Sequence, residues 1–294
     1  MVMERFKRWY EENKESLMLR TMRGLLKNKK GMIGLTVLLL IVLMALTAPY
    51  ISPYDPNEIH PEDRYHPPSF KYWFGTDDFG RDILSRCIYG SRISLWVGIV
   101  SVSIAMVTGI IIGLISGYAG GIVDEIIMRV MDAMMSFPTI FLALLILAVM
   151  GIGITSLMVA IGFVYMPRFA RLQRAAVLSV KEQTYIEAAR ACGDPDYRIL
   201  FREIFPNALA PMVVQATMSF GVAILYEAFF SFIGLGIPPP TPAWGAMLRR
   251  AQAYLVNSPW MSIFPGIAIM ISVLSINLFG DALRDVLDPR LRIE

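Results

Sequence analysis

Long apolar runs alternate with charged stretches along this chain. Residues 1–30 are polar and carry Arg5, Lys7, Arg8, Lys14, Arg20, Arg23, Lys27, Lys29 and Lys30; an uncharged run over 31–51 follows. Further runs at 93–116, 133–151, 208–236 and 260–280 reach the roughly 20 residues a helix needs to cross a bilayer, and only Glu227 interrupts the third of them. A shorter run, 154–166, ends at Pro167 and Arg168. It is read as a sixth span on parity, because without it the charged stretches on either side would face opposite sides of the membrane. The pattern predicts an all-α membrane protein with six transmembrane helices.

The division of the chain follows. Residues 1–30 form an N-terminal segment, 31–51 the first span and 52–92 an external loop with an amphipathic helix. Residues 93–283 form a core of five helices that includes a loop at 168–207, and 284–294 form a tail. Composition agrees: 55% of the 294 residues are hydrophobic, 17% are charged, and the mean hydropathy is +0.54, which excludes an ordinary soluble domain. A cleaved signal peptide is not expected, since the first apolar run exceeds the ~7–15 residues of a signal h-region.

Charge sets the orientation. The net charge is only +3, but Lys and Arg gather in alternate segments: residues 1–30, then Arg129, then Arg168, Arg171, Arg174, Lys181, Arg190, Arg198 and Arg202, then Arg284, Arg290 and Arg292. The other segments hold fewer, namely Arg64, Lys71, Arg81, Arg86, Arg92, Arg249 and Arg250. The positive-inside bias places both termini and the 168–207 loop in the cytoplasm. Residues 52–80, rich in Pro, Asp and aromatics, then form an outer loop favouring turns over a packed core. At its end Asp77 or Asp78 is expected to cap a helix with Ile83, Leu84, Cys87 and Ile88 on one face and Arg81, Asp82 and Ser85 opposite. A second outer loop holds a Pro run and a short amphipathic stretch, before a helix start at Asn257 or Ser258 with Trp260 as an interface anchor.

Candidate chemistry is sparse. Two cysteines and two histidines are too few for a closed zinc site, so no metal or other cofactor is expected. The chain has no phosphate-binding Gly-x-x-x-x-Gly-Lys-Ser/Thr loop, no Gly-x-Ser-x-Gly elbow and no His-Glu-x-x-His. No catalytic residue is assigned, and uphill movement would need an ion gradient or another protein. Glu227, the one acid well inside a span, is a candidate for the translocation path, with helix–helix packing as the alternative. An external energy source needs a docking surface. In "YIEAARACGDPDYRILFREIFPN", residues 185–207, a helix over 186–192 is expected to end at Gly193 in the left-handed conformation. Asp194 and Pro195 would then cap a second helix that runs to about Phe205, with Pro206 at the bend. Ala188 and Ala189 admit a close approach, and Glu187 and Arg190 supply charge.

These residues resemble the cytoplasmic signature of the transmembrane permease subunits of ATP-binding-cassette importers: Glu-Ala-Ala, three residues, Gly, nine residues, Ile, one residue, Leu-Pro. Glu187, Ala188, Ala189, Gly193 and Pro206 match it, whereas Glu203 stands in place of Ile and Phe205 in place of Leu. The stretches "FGTDDFGRDILSRCIYGSRISL", "GYAGGIVDEIIMRVMDAMMSFP" and "SFIGLGIPPPTPAWGAML" are similar to the second permease subunit of the dipeptide, oligopeptide and nickel importer group. The resemblance implies a permease subunit of a binding-protein-dependent importer in a prokaryotic cell membrane, with di- or oligopeptide as cargo and no catalysis of its own. Its expected partners are a homologous second permease, two cytoplasmic ATP-binding subunits, an external solute-binding protein and the bilayer, with no nucleic acid. Glu187, Ala188, Ala189, Arg190, Gly193, Asp194 and Pro206 would form the ATPase-coupling site. A stand-alone ion-coupled carrier or channel is the competing reading.

Overall fold

A computed structural model describes residues 24–26 and 28–287. The described part is helical: α1 Lys29–Ile51, α2 Ile83–Ala119, α3 Gly121–Ser136, α4 Thr139–Met150, α5 Ile154–Lys181, α6 Thr184–Ala191, α7 Asp196–Arg198, α8 Phe205–Asn207, α9 Ala210–Ile233, α10 Trp244–Ala251 and α11 Trp260–Leu287. Helices α1, α2, α9 and α11 are each long and apolar enough to cross a membrane, and α3 with α4 makes a fifth candidate if the bent pair is one span. The run 133–151 is not the single straight helix expected: the chain breaks at Phe137 and Pro138, and the two arms lie 96° apart. Pro138 lacks an N–H for a continuing helix and pushes Phe137 into extended backbone, φ −82° and ψ 139°. The 12-residue α4 spans about 18 Å, short of a bilayer core of ~30 Å. Conversely, the run 154–166 continues through Pro167 as the 28-residue α5.

The core forms where α2 and α5 lie along one another, their interface being the most extensive in the molecule. Gly109, Gly113 and Gly117 put a bare stripe on α2, and α5 lies directly on it; a Cβ at Gly113 would stand 2.5 Å from the Ala170 carbonyl oxygen and 2.6 Å from the Gln173 Cβ. Dispersion between closely approaching backbones replaces the hydrophobic effect that lipid cannot supply. Beside this pair α9 packs on α2, α5 and α11, and α1 lies against α11.

Residues 52–82 are more ordered than their composition indicates. Apart from one 3₁₀ turn, Pro61–Asp63, they lack regular structure, yet Tyr72 is fully buried and its hydroxyl donates to Asp63 Oδ2 at 2.8 Å. Asp82, not Asp77 or Asp78, caps α2 by accepting from the Ser85 N–H at 2.7 Å. The expected polar face is also corrected: Arg81, Asp82 and Ser85 are buried, and so is Arg86. Arg81 is paired within the loop, Nε donating to Asp77 Oδ2 at 2.7 Å, and Arg86 donates to the Pro56 carbonyl at 2.7 Å. Buried cations are tolerable because each is fully engaged. The 52–82 loop is clamped by Trp260, whose Nε1 donates to the Thr76 carbonyl at 3.2 Å, and by stacking of Phe74 on Phe264.

Candidate functional site

Of the expected 168–207 loop, residues 168–181 belong to α5, and the remainder, 182–207, condenses into two pieces joined at Gly193. Short α6 is rich in alanine, the strongest helix former. It buries Ile186 completely and leaves Glu187, Ala188, Arg190 and Ala191 exposed, with Ala189 half-buried beneath them. At its end the Gly193 N–H donates to the Arg190 carbonyl at 3.0 Å and the Asp194 N–H to the Ala189 carbonyl at 3.1 Å. This is the 5→2 and 6→1 pair of a Schellman motif, which demands a left-handed residue at the turn. Gly193 supplies it at φ +84°, with open space around the position a Cβ would take.

The second piece differs from expectation in its cap and its register. Pro195 occupies the N-cap position without a side-chain hydrogen bond. Asp194 does not cap: its carboxylate accepts from Arg198 Nη1 at 2.8 Å instead. After α7 the chain forms a π-helical turn, Ile199–Ile204, and then α8. Pro206 lies inside α8, and the bend falls after it, before α9 begins at Ala210.

The π turn accounts for Glu203. An i→i+5 turn returns to the same face after five residues rather than four, so Ile199 and Ile204 both point inward and are fully buried. The apolar anchor that the family pattern places at 203 is thus provided one residue later, while Glu203 stays at the surface edge. Ile186, Ile199 and Ile204 join one hydrophobic core with Val177 of α5 and Leu114 of α2.

Polar contacts tie this unit to the spans. The Tyr118 hydroxyl, in the last turn of α2, donates to the Asp196 carboxylate, and Lys181 Nζ at the end of α5 donates to the Tyr118 carbonyl at 2.8 Å. Alongside, Arg174 of α5 holds Asp124 of α3 in a bidentate pair. Sequence reasoning did not single out Tyr118, Lys181 or Asp196; residues 78 apart give no local signal of meeting.

Glu227 lies far from this unit, in the last third of α9. It is fully buried, accepting from Ser94 Oγ of α2 at 2.8 Å and from Ser231 Oγ at 2.9 Å. Ser231 Oγ in turn accepts from the Ile237 N–H at 3.3 Å. The carboxylate therefore knits α2, α9 and the following loop together through hydroxyls.

The chain also matches known proteins. Residues 109–293 match the binding-protein-dependent transport system inner membrane component family, and residues 16–68 match the N-terminal TM domain of oligopeptide transport permease C. The chain is 44% identical over 270 residues to the dipeptide transport system permease protein DppC of Alkalihalophilus pseudofirmus, covering 92% of this chain and 89% of that protein. It is 45% identical over 274 residues to a putative peptide transport system permease protein of Brucella suis biovar 1, covering 93% and 92%. With the glutathione transport system permease protein GsiD of Pectobacterium atrosepticum it shares 46% identity over 260 residues, covering 88% and 86%. Among solved structures, an inward-facing conformation of the MetNI methionine ABC transporter superposes with a TM-score of 0.56 at 22% identity, over 68% of this chain and 96% of that one. The chain belongs to the family of binding-protein-dependent transport system inner membrane components, the membrane-spanning permeases of ATP-binding-cassette importers.

Proposed function

We propose that this chain forms half of the translocation path of a peptide importer in a prokaryotic cell membrane and receives the force of ATP hydrolysis through α6. One observation carries the reading: α6 is pinned from beneath by Ile186 and stopped by a Schellman turn, yet presents Glu187, Ala188, Arg190 and Ala191 to solvent. A helix anchored on one face and bare on the other is suited to a groove on a second protein. Glu187 and Arg190 would orient it there, Ala188 would permit close approach, and Gly193 would hold the corner. Asp194 and Pro206 act from behind, through the Arg198 pair and the α8 turn.

Six spans follow if the α3–α4 pair and the first half of α5 each count as one beside α1, α2, α9 and α11. The Lys/Arg bias then puts both termini and α6 in the cytoplasm. A homologous second permease, two cytoplasmic ATP-binding subunits and an external solute-binding protein complete the assembly. Dipeptides or oligopeptides are the cargo favoured by the relatives named for them. The test is purification of the tagged chain from its native membrane, followed by uptake into proteoliposomes. Co-purification of a second permease and two ATPases, with peptide uptake that needs internal-face ATP and the binding protein, is expected. Recovery as an oligomer of this chain alone that transports without ATP would establish the ion-coupled alternative.

A further inference from the structure

At the end of α9 opposite α6, a cleft of about 510 Å³ opens between the last turn of α9, the 234–243 loop and α10, with Asp78 on one wall. That volume lies within the range of small-molecule sites. Two cations from the last turn of α10, Arg249 and Arg250, face into it. Arg250 Nη1 stands 3.5 Å from Asp78 Oδ1, too far for a good hydrogen bond, and both atoms are buried without a hydrogen-bond partner among the described residues. These two atoms face each other as a stretched ion pair, and the exposed remainder of the two side chains, 29% of Arg250 and 14% of Asp78, leaves donors and an acceptor at the cleft wall for a ligand.

The setting is built. The Phe79 ring takes the guanidinium groups of both Arg250, 4.6 Å from its centroid, and Arg81, 4.9 Å away. Arg249 lies over Gly234, at φ +89°, where a Cβ would overlap its guanidinium. Burial outweighs the pull of Arg250 and raises the Asp78 carboxyl above its ordinary value, a condition that a bound cation relieves. Ile237, Pro238 and Pro239 give an apolar wall, and Ser231 connects the floor to Glu227.

Two guanidinium groups against one carboxylate leave positive charge that an anion must answer, and the planar fork of arginine fits a carboxylate bidentately. A simple anion would leave Asp78 with only its stretched contact to Arg250. A zwitterion with an apolar body satisfies all three groups. We propose that this cleft binds a short peptide, its free carboxylate held by Arg249 and Arg250 and its ammonium group by Asp78. The proposal rests on the importer reading for the supply of peptide at this face, and its test does not.

The experiment is hydrogen–deuterium exchange on the intact assembly in lipid nanodiscs, titrated with dialanine, dialanine amide and N-acetyl-dialanine. Dialanine is expected to protect residues 244–254, with the amide and the acetylated form each weaker by about tenfold or more, the effect of losing a charge-assisted hydrogen bond. Arg249→Gln and Arg250→Gln should weaken dialanine similarly, and Arg250→Lys should recover part of the loss. Absence of protection, or equal protection by dialanine and its amide, overturns the site using the unaltered protein alone; unchanged affinity in both glutamine variants does so too. ATP-dependent peptide uptake, read separately, distinguishes the two ideas. Uptake without protection refutes the cleft and keeps the importer, whereas protection without uptake keeps the cleft and refutes the importer.

Discussion

Replacing Gly193 by valine separates the role of the α6 corner from the stability of the bundle. At φ +84° a residue with a Cβ loses about 1–2 kcal/mol, and a β-branched side chain lies at or beyond the top of that range. No steric term adds to it, since the site of the Cβ has nothing within 4 Å. The chain can escape the strain by leaving the left-handed region, but then the Gly193 and Asp194 N–H groups lose the Arg190 and Ala189 carbonyls. Each such bond contributes about 0.5–1.5 kcal/mol, and at an exposed turn water replaces much of it. Either route confines a cost of about 2 kcal/mol to the corner, so insertion and the thermal midpoint of the assembly stay near wild type while the direction of α6 changes. The assay is the ratio of peptide taken up to ATP hydrolysed in proteoliposomes, with Gly193→Asn as the control, because asparagine tolerates the left-handed region better. The ratio should fall severalfold in the valine variant and less in the asparagine one. A normal ratio in Gly193→Val, or equal damage from both, would refute the argument that the left-handed corner aims the coupling helix.

Ile186→Ala removes the buried anchor beneath α6 and should cost about 2–4 kcal/mol, lowering both the thermal midpoint and the coupling ratio; a normal ratio would show that α6 needs no anchor. Tyr118→Phe deletes only the hydroxyl that reaches Asp196, so stability should change by less than about 1 kcal/mol while coupling declines, and unchanged coupling would exclude this strut from force transfer. Gly113→Leu drives a side chain into the Ala170 backbone and should destabilise the α2–α5 pair by about 1–3 kcal/mol or prevent assembly, as read by detergent-resistant complex yield. Glu227→Leu strands the Ser94 and Ser231 hydroxyls at a cost of about 1–3 kcal/mol, whereas Glu227→Gln keeps a partner for each. Unchanged transport and pH profile in the glutamine variant would assign Glu227 to packing rather than to the path.

Which of these features the sequence could reveal depended on whether the signal was local. Uncharged length alone marked α1, α2, α9 and α11, because a bilayer sets a length that composition can meet without reference to partners. The same criterion was blind inside 133–151: every position there is uncharged, so the break rests on one residue, Pro138, and hydropathy averaging erased it. It also undervalued α5, whose second half carries Arg168, Arg171 and Arg174, residues whose place in a helix is secured by α2 and α3 rather than by lipid. The Gly193 corner was legible because a Schellman turn uses neighbours in the chain. The burial of Arg86 was not, since its partner Pro56, 30 residues away, is brought there by a loop whose composition reads as solvated.

The register shift at 199–204 bears on how a surface helix moves a span. In an uninterrupted α-helix the residue facing inward after Ile199 would be 202 or 203, here Arg202 and Glu203, and the piece after Gly193 would have a single inward isoleucine. The extra residue of the π turn brings Ile204 to the same face, so α6 and its continuation meet the core at three points, Ile186, Ile199 and Ile204. Three buried anchors, one on α6 and two on the piece that follows, resist rotation better than one or two would. In the proposed coupling role, a load on the exposed face of α6 would reach the spans through the core that these isoleucines share with Val177 of α5 and Leu114 of α2, with the Tyr118–Asp196 contact as a polar strut. Because α2 and α5 adhere along their glycine stripe, the two would receive that load as one body.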